Sequence, residues 1–130
     1  HILTLSPPIN LNPKWFKQHT AYTISKYAMS MVTLGLAAEL AEFGIAANSL
    51  WPRTTIATAA VETFFAEAVK ASRTADIMAD AAYAILTKPS HSCTGNFFID
   101  EAVLRAEGVI DFGRYAVTPG GPLMTDLFLD

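Results

Sequence analysis

Two side chains of complementary chemistry, Tyr22 and Lys26, stand four residues apart in a run of good helix formers. That spacing puts them on one face of a helix. A phenol with a pKa of about 10 exchanges protons poorly at neutral pH, but a nearby ammonium favours the phenolate and lowers that pKa. Lysine also offers three donors to sugar hydroxyls. The pair therefore predicts an acid–base centre, against the alternative that it is ordinary surface packing.

A serine at the end of the first apolar segment is the next candidate. Residues 2–6 predict a buried strand that ends at Ser6, just before Pro7 and Pro8. In open parallel sheets the ligand crevice lies beyond the carboxyl ends of the strands, so Ser6 and Tyr22 are expected at the same edge. Ser6 either hydrogen-bonds a substrate oxygen or only satisfies backbone groups. Asn12 and Thr20 are further possible donors.

The elements that would position these residues alternate between strands and helices. After the first strand we expect a helical turn capped by Asn12 and a helix over 20–43 that ends at Gly44. The remaining predictions are strands at 45–51 and 96–100 and helices at 58–71, from Thr74 or Ser72 to 87, and at 101–107. Connections this long imply right-handed crossovers, hence an α/β fold with a doubly wound parallel sheet.

Composition narrows the classes of function. The 130 residues are 52% hydrophobic and 16% charged with a net charge of −3, which excludes disorder and offers no basic stripe for nucleic acid. The apolar run at 27–38 is too short to span a bilayer, so no membrane span is predicted. Cys93 is the single cysteine, and the three histidines lack ligand spacing, so we expect no metal site.

The segment Tyr22-Thr-Ile-Ser-Lys26 resembles the Tyr-x-x-x-Lys signature of the short-chain dehydrogenase/reductase family. The strand end at Ser6 and the segments 48–52 and 94–100 are also similar to family motifs and follow in family order. The segments 15–19, 50–54, 76–83 and 127–130 resemble a narrower branch, the hydroxysteroid dehydrogenase-like proteins and their bacterial relatives. The resemblance implies a Rossmann-like doubly wound parallel sheet. Residues 1–130 would be the C-terminal catalytic half of one such domain, with the N-terminal dinucleotide-binding half absent from this sequence.

The resemblance also implies an activity, the transfer of a hydride between NAD or NADP and a small carbonyl or secondary alcohol substrate. Tyr22 would be the general acid/base, Lys26 would bind the nicotinamide ribose, and Ser6 would hold the substrate oxygen. The expected cofactor-binding residues are Tyr22, Lys26, Pro52, Thr54, Thr55 and Ile56. Family members usually form homodimers or homotetramers. Relatives of this branch occur in bacterial cytoplasm or, in eukaryotes, in the peroxisomal or mitochondrial matrix.

Two positions depart from the family pattern. Pro7 stands where the family's serine is usual, and Arg53 replaces the glycine of a Pro-Gly turn. Because arginine enters glycine-only backbone regions at a cost, we expect a different turn there. These departures motivate an alternative, a non-catalytic binding or assembly module. An epimerase or dehydratase of the extended branch also shares Tyr-x-x-x-Lys but needs a larger C-terminal substrate domain than the residues after Lys26 provide.

Overall fold

Three parallel strands form the sheet of the computed structural model, which describes residues 1–130. They are β1 (Ile2–Thr4), β2 (Ala47–Trp51) and β3 (Phe97–Ile99), in the order β1-β2-β3. Ile2 pairs with Ala47, and Trp51 pairs with Ile99. The central strand β2 is buried throughout. The predicted α/β class and parallel sheet are confirmed, although each strand is shorter than its apolar segment.

The long helix α1 (Thr20–Glu39) carries Tyr22 and Lys26 and packs mainly against β2. It ends earlier than predicted, because residues Ala41–Phe43 tighten into a 3-10 turn. Gly44 follows with a φ of 67°, the left-handed conformation expected of a residue that ends a helix. The predicted turn before α1 is also present, at Pro13–Trp15, with the Asn12 side chain accepting from the Lys14 N–H at 3.1 Å.

The second half of the chain contains shorter helices. They are α2 (Ala59–Phe64), α3 (Asp76–Leu86) and α4 (Asp100–Ala106), with 3-10 segments at Ala66–Ala71 and Gly113–Tyr115. The predicted helix over 58–71 is interrupted at Phe65, whose φ of −143° is not helical. The predicted caps of α3 are wrong: Ala75 is its N-cap, without a side-chain bond. The Thr74 hydroxyl donates to the Asp76 carboxylate, and that of Ser72 donates to the Ala68 carbonyl.

Two apolar clusters lie on opposite faces of the sheet, since consecutive residues of β2 alternate in direction. Leu50 joins the larger cluster, which includes Ile77, Ile85 and Leu104 from α3 and α4. Trp51 joins a smaller aromatic cluster with Tyr27 and Phe128. The aromatic cluster therefore lies beneath α1, at the carboxyl end of β2.

The buried face of α1 consists mostly of hydroxyl-bearing residues rather than aliphatic ones. Its buried residues are Thr23, Tyr27, Ser30, Thr33 and Ala37. Meanwhile Ile24, Met31 and Val32 are each more than half exposed. The chain therefore covers one side of α1 and leaves these aliphatic side chains uncovered. No helix of the chain combines the length and apolarity that a bilayer crossing requires.

Candidate active site

Lys26 lies where two strands end. Its Nζ donates to the Leu5 carbonyl at 3.2 Å and stands 5.3 Å from the centre of the Trp51 ring. Leu5 follows β1, and Trp51 is the last residue of β2. The ammonium is thus held at the carboxyl edge of the sheet, between β1 and β2.

Tyr22 lies one turn earlier on the same helix and is 42% exposed. One face of its ring stacks on Phe128, with 6.2 Å between ring centroids and 17° between planes. The Tyr22 hydroxyl makes no hydrogen bond with the protein, in contrast to that of Tyr27, which donates to the Asn10 carbonyl at 2.7 Å. One face of the Tyr22 ring therefore packs against Phe128, whereas its hydroxyl has no hydrogen-bond partner in the protein.

The electrostatics around Tyr22 differ from the sequence prediction. Burial, and secondarily the negative charge of Asp126, raise the pKa of the Tyr22 phenol above its usual value. Lys26 is not among the causes of this shift: its ammonium is directed to the Leu5 carbonyl and the Trp51 ring, while Asp126 contributes an opposing charge. That Lys26 and the charge of an oxidised nicotinamide together lower the pKa of Tyr22 stays a prediction.

Asp126 is the second acid of this region, and sequence reasoning had not selected it. Its pKa is raised to about 6, mainly by burial and also by the charge of Asp100, whereas the Leu127 N–H and Lys26 act in the opposite direction. Its carboxylate accepts from the Leu127 N–H at 2.6 Å, and its own backbone N–H donates to the Arg53 carbonyl at 3.2 Å. Tyr22, Lys26, Asp100 and Asp126 thus form one electrostatically coupled group.

Ser6 is fully buried, and its hydroxyl has no hydrogen-bond partner. The adjacent Pro7 is also buried, and its carbonyl accepts from the Ser30 hydroxyl at 2.6 Å. Ser6 therefore does not share the exposed surface of Tyr22. The two other candidate donors serve local turns: the Asn12 side chain accepts from Lys14, and the Thr20 hydroxyl donates to the Phe16 carbonyl at 2.7 Å.

The segment from Pro52 to Ile56 continues from the end of β2. The Arg53 N–H donates to the Asp100 carboxylate at 2.8 Å, and Arg53 does not adopt a positive φ, so the turn avoids the backbone region that favours glycine. The Thr55 N–H donates to the Met124 carbonyl at 3.0 Å, and Ile56 forms a bridge with Arg73. Thr54 is buried, and its hydroxyl has no partner.

The C-terminal segment, residues 124–130, completes the site and had no chemical signal in the sequence. Phe128 is 1% exposed and lies among the rings of Trp15, Tyr22, Tyr27 and Trp51, with centroid distances from 5.2 to 6.2 Å. Only the resemblance of residues 127–130 to one branch of a family had pointed to this segment. No group of three or more His, Cys, Asp or Glu side chains in the chain is arranged to hold a metal ion.

Comparisons with known proteins give close relatives. The chain is 59% identical to hydroxysteroid dehydrogenase-like protein 2 of Bos taurus and 55% identical to that of Homo sapiens, in each case over 100% of this chain and 31% of the relative. It thus spans under a third of the length of these curated relatives. No family model matches.

Solved structures agree with the fold. A candidate dehydrogenase from Xanthomonas campestris superposes with a TM-score of 0.94 at 51% identity, over 100% of this chain and 48% of that one. A short chain dehydrogenase from Mycobacterium thermoresistibile gives a TM-score of 0.89 at 51% identity, with 46% of that chain covered. The predicted resemblance is therefore confirmed. Over its whole length the chain is related to hydroxysteroid dehydrogenase-like protein 2, and its fold matches the C-terminal half of short-chain dehydrogenase structures.

Proposed function

We propose that this chain carries the acid–base centre of an oxidoreductase that moves a hydride between NAD or NADP and a carbonyl or secondary alcohol. The observation that carries the proposal is the position of Tyr22 and Lys26, on one helix face at the carboxyl edge of β1 and β2. Ligands of open parallel sheets bind beyond this edge. The dehydrogenase names of the relatives and of the solved structures support the same class of reaction.

The residues at this edge fit a dinucleotide. Lys26 uses one of its three donors on Leu5, which leaves two for ribose hydroxyls. The buried Thr54 hydroxyl has no partner in the chain, which suits a residue that awaits a polar ligand group. Backbone bonds to Asp100 and Met124 hold the segment Pro52–Ile56, whose members Pro52, Thr54, Thr55 and Ile56 would line the nicotinamide. A nicotinamide held there would supply the hydride chemistry.

In this proposal Tyr22 exchanges a proton with the substrate oxygen. Its pKa is raised in the chain alone, so catalysis requires that the local potential become more positive when the site is filled. Lys26 supplies part of that potential and orients the ribose, while Phe128 excludes water from one face of the phenol. The assignment of Ser6 to the substrate oxygen stays a prediction: its hydroxyl is fully buried and, like that of Thr54, has no partner in the chain.

The test is Tyr22→Phe in the complete natural chain, with turnover followed by the absorbance of the reduced cofactor. Loss of a general acid/base is expected to lower kcat by about 10²- to 10⁴-fold while the thermal midpoint stays unchanged. The matched control is Tyr83→Phe, which changes a tyrosine of α3 that is 72% exposed, and it should keep full activity. A Tyr22→Phe protein with most of its kcat would refute the proposal.

A non-catalytic binding or assembly module is the second candidate function. The observations that favour it are the buried Ser6 and the presence of Arg53 where the family has glycine. This alternative predicts that the complete chain binds NAD(P)H, as measured by a change in cofactor fluorescence. It also predicts that the bound cofactor is not oxidised, whichever carbonyl compound is added. Turnover that depends on Tyr22 excludes it.

The proposed enzyme is a homodimer or homotetramer that acts on a small carbonyl or alcohol substrate. The exposed aliphatic side chains of α1 would be covered either by a second copy or by the N-terminal half of the domain, and we propose the second copy. We place it in bacterial cytoplasm or in an organelle matrix, where a lone thiol such as that of Cys93 stays reduced.

A further inference from the structure

We propose that Phe128 is a positioning residue for the Tyr22 phenol and sets its orientation in the proton-transfer step. The inference rests on the proposed function and deepens it, because it assigns a role at the catalytic centre to a residue of the C-terminal segment.

The contact between the two rings is close to parallel, with 17° between planes and 6.2 Å between centroids. Phe128 is enclosed on its other sides by Trp15, Tyr27 and Trp51 at centroid distances of 5.8, 5.2 and 5.8 Å. It therefore has no room to move away, whereas Tyr22 is 42% exposed on the side where substrate would approach. Phe128 is the fixed member of the pair, and Tyr22 is the member that needs support.

The backbone of the C-terminal segment is fixed independently of this contact. The Asp126 N–H donates to the Arg53 carbonyl at 3.2 Å, and the Trp51 indole donates to the Leu127 carbonyl at 2.9 Å. Asp130 pairs with Lys14 and accepts from Asn10 at 3.1 Å. These bonds join the segment to the end of β2 and to the loop before α1.

Phe128 itself has a φ of 71°, a left-handed conformation that a bulky residue adopts only under constraint. Such strain persists where the surroundings over-determine it, and it is found preferentially at functional sites. Here the strained conformation directs the Phe128 ring into the aromatic cluster and against Tyr22. The Phe128 ring is thus held in a position where it limits rotation of the Tyr22 phenol.

The consequence is a specific kinetic signature. Without the Phe128 ring, Tyr22 can turn away from the reacting oxygen, and small misplacements of a catalytic group are costly. Cofactor binding should change little, because neither Lys26 nor the segment Pro52–Ile56 is altered. Loss of Phe128 is therefore expected to lower kcat without raising the KM for the cofactor.

The test compares Phe128→Leu, Phe128→Tyr and Phe112→Leu in the complete natural chain. Phe128→Leu should lower kcat by about tenfold or more while the KM for NAD(P)H stays within about twofold. Phe128→Tyr keeps the aromatic face and should restore most of kcat. Phe112 is a buried aromatic of the other cluster, so Phe112→Leu should reduce stability but leave kcat within about twofold.

The outcomes separate this inference from the proposed function. If Tyr22→Phe abolishes turnover but Phe128→Leu does not lower kcat, the positioning role is overturned and the proposed function stands. An equal loss of kcat in Phe112→Leu would also overturn it, because the effect would then reflect stability alone. If Tyr22→Phe keeps its activity, the proposed function fails first. Should Phe128→Leu not fold, Phe128→Met retains apolar volume and carries the same expectation.

Discussion

Asp126 and Tyr22 are two acids whose protonated forms are favoured by the same surroundings. Burial is the largest cause for both, and the charge of Asp126 further raises the pKa of Tyr22. Neutralising Asp126 therefore removes one of the two influences that keep the phenol weakly acidic. The electrostatic state of the candidate site therefore depends on a residue of the C-terminal segment.

This coupling gives a prediction for Asp126→Asn. The folded pKa of Asp126, about 6, exceeds its ordinary value of 3.8, so the folded state binds the proton more tightly than the unfolded state. Stability is then lost as pH rises from about 4 to about 6. The amide does not ionise, so Asp126→Asn should be more stable than the wild type above that window, by about 1 kcal/mol after allowance for partial exposure.

Chemical denaturation of the complete chain at pH 4 and pH 8 measures the effect. Glu42→Gln changes an exposed carboxylate outside the site and is the control for the loss of one negative charge. A stability difference between Asp126→Asn and wild type that does not change between the two pH values would contradict the assigned pKa.

Among the secondary-structure elements, α1 has ends that could be predicted from the sequence and a buried face that could not. The Asn12 cap and the Gly44 end followed from local rules, and the structure contains both. The buried face of the helix did not follow from apolar spacing. Hydroxyls occupy it because the loop 7–19 presents carbonyls that they can bond, as Tyr27 does with Asn10 and Ser30 with Pro7.

Ser30→Ala tests this interpretation of α1. The substitution leaves the buried Pro7 carbonyl without the 2.6 Å bond from the Ser30 hydroxyl. An unpaired buried acceptor costs about 1–3 kcal/mol, so the free energy of unfolding should fall by that amount. Ser25→Ala removes an exposed hydroxyl of the same helix and serves as the control. Equal stability of the two variants would show that the hydroxyl face does not anchor the helix.

The candidate site contains residues that could be predicted from the sequence and others that depend on tertiary contacts. The Tyr22–Lys26 pair and the edge of the parallel sheet could be predicted, because both follow from spacing along one helix or from the order of elements. The roles of Asp126 and Phe128 could not, because they depend on how the C-terminal segment returns to the end of β2. The interruption at Phe65 likewise reflects tertiary context rather than helix propensity.

For the whole molecule, the exposed face of α1 supports the proposed self-association. Ile24, Met31 and Val32 expose 58%, 57% and 59% of their surface. A charge introduced there, as in Met31→Lys, should shift the complete protein toward smaller species in light scattering. Ile110→Lys, at a residue 90% exposed outside α1, should not. If the molecular mass of the Met31→Lys protein is unchanged, α1 is not part of the subunit interface.

The proposed function requires that the Tyr22 phenol become more acidic when the site is filled. The most direct measurement is the titration of Tyr22 in the complete chain, assigned by difference from Tyr22→Phe, with and without bound oxidised cofactor. We expect the pKa of Tyr22 to lie above its usual value in the free protein and to fall clearly on binding, with a smaller fall in Lys26→Met. A pKa that is the same in the free and bound protein would contradict it.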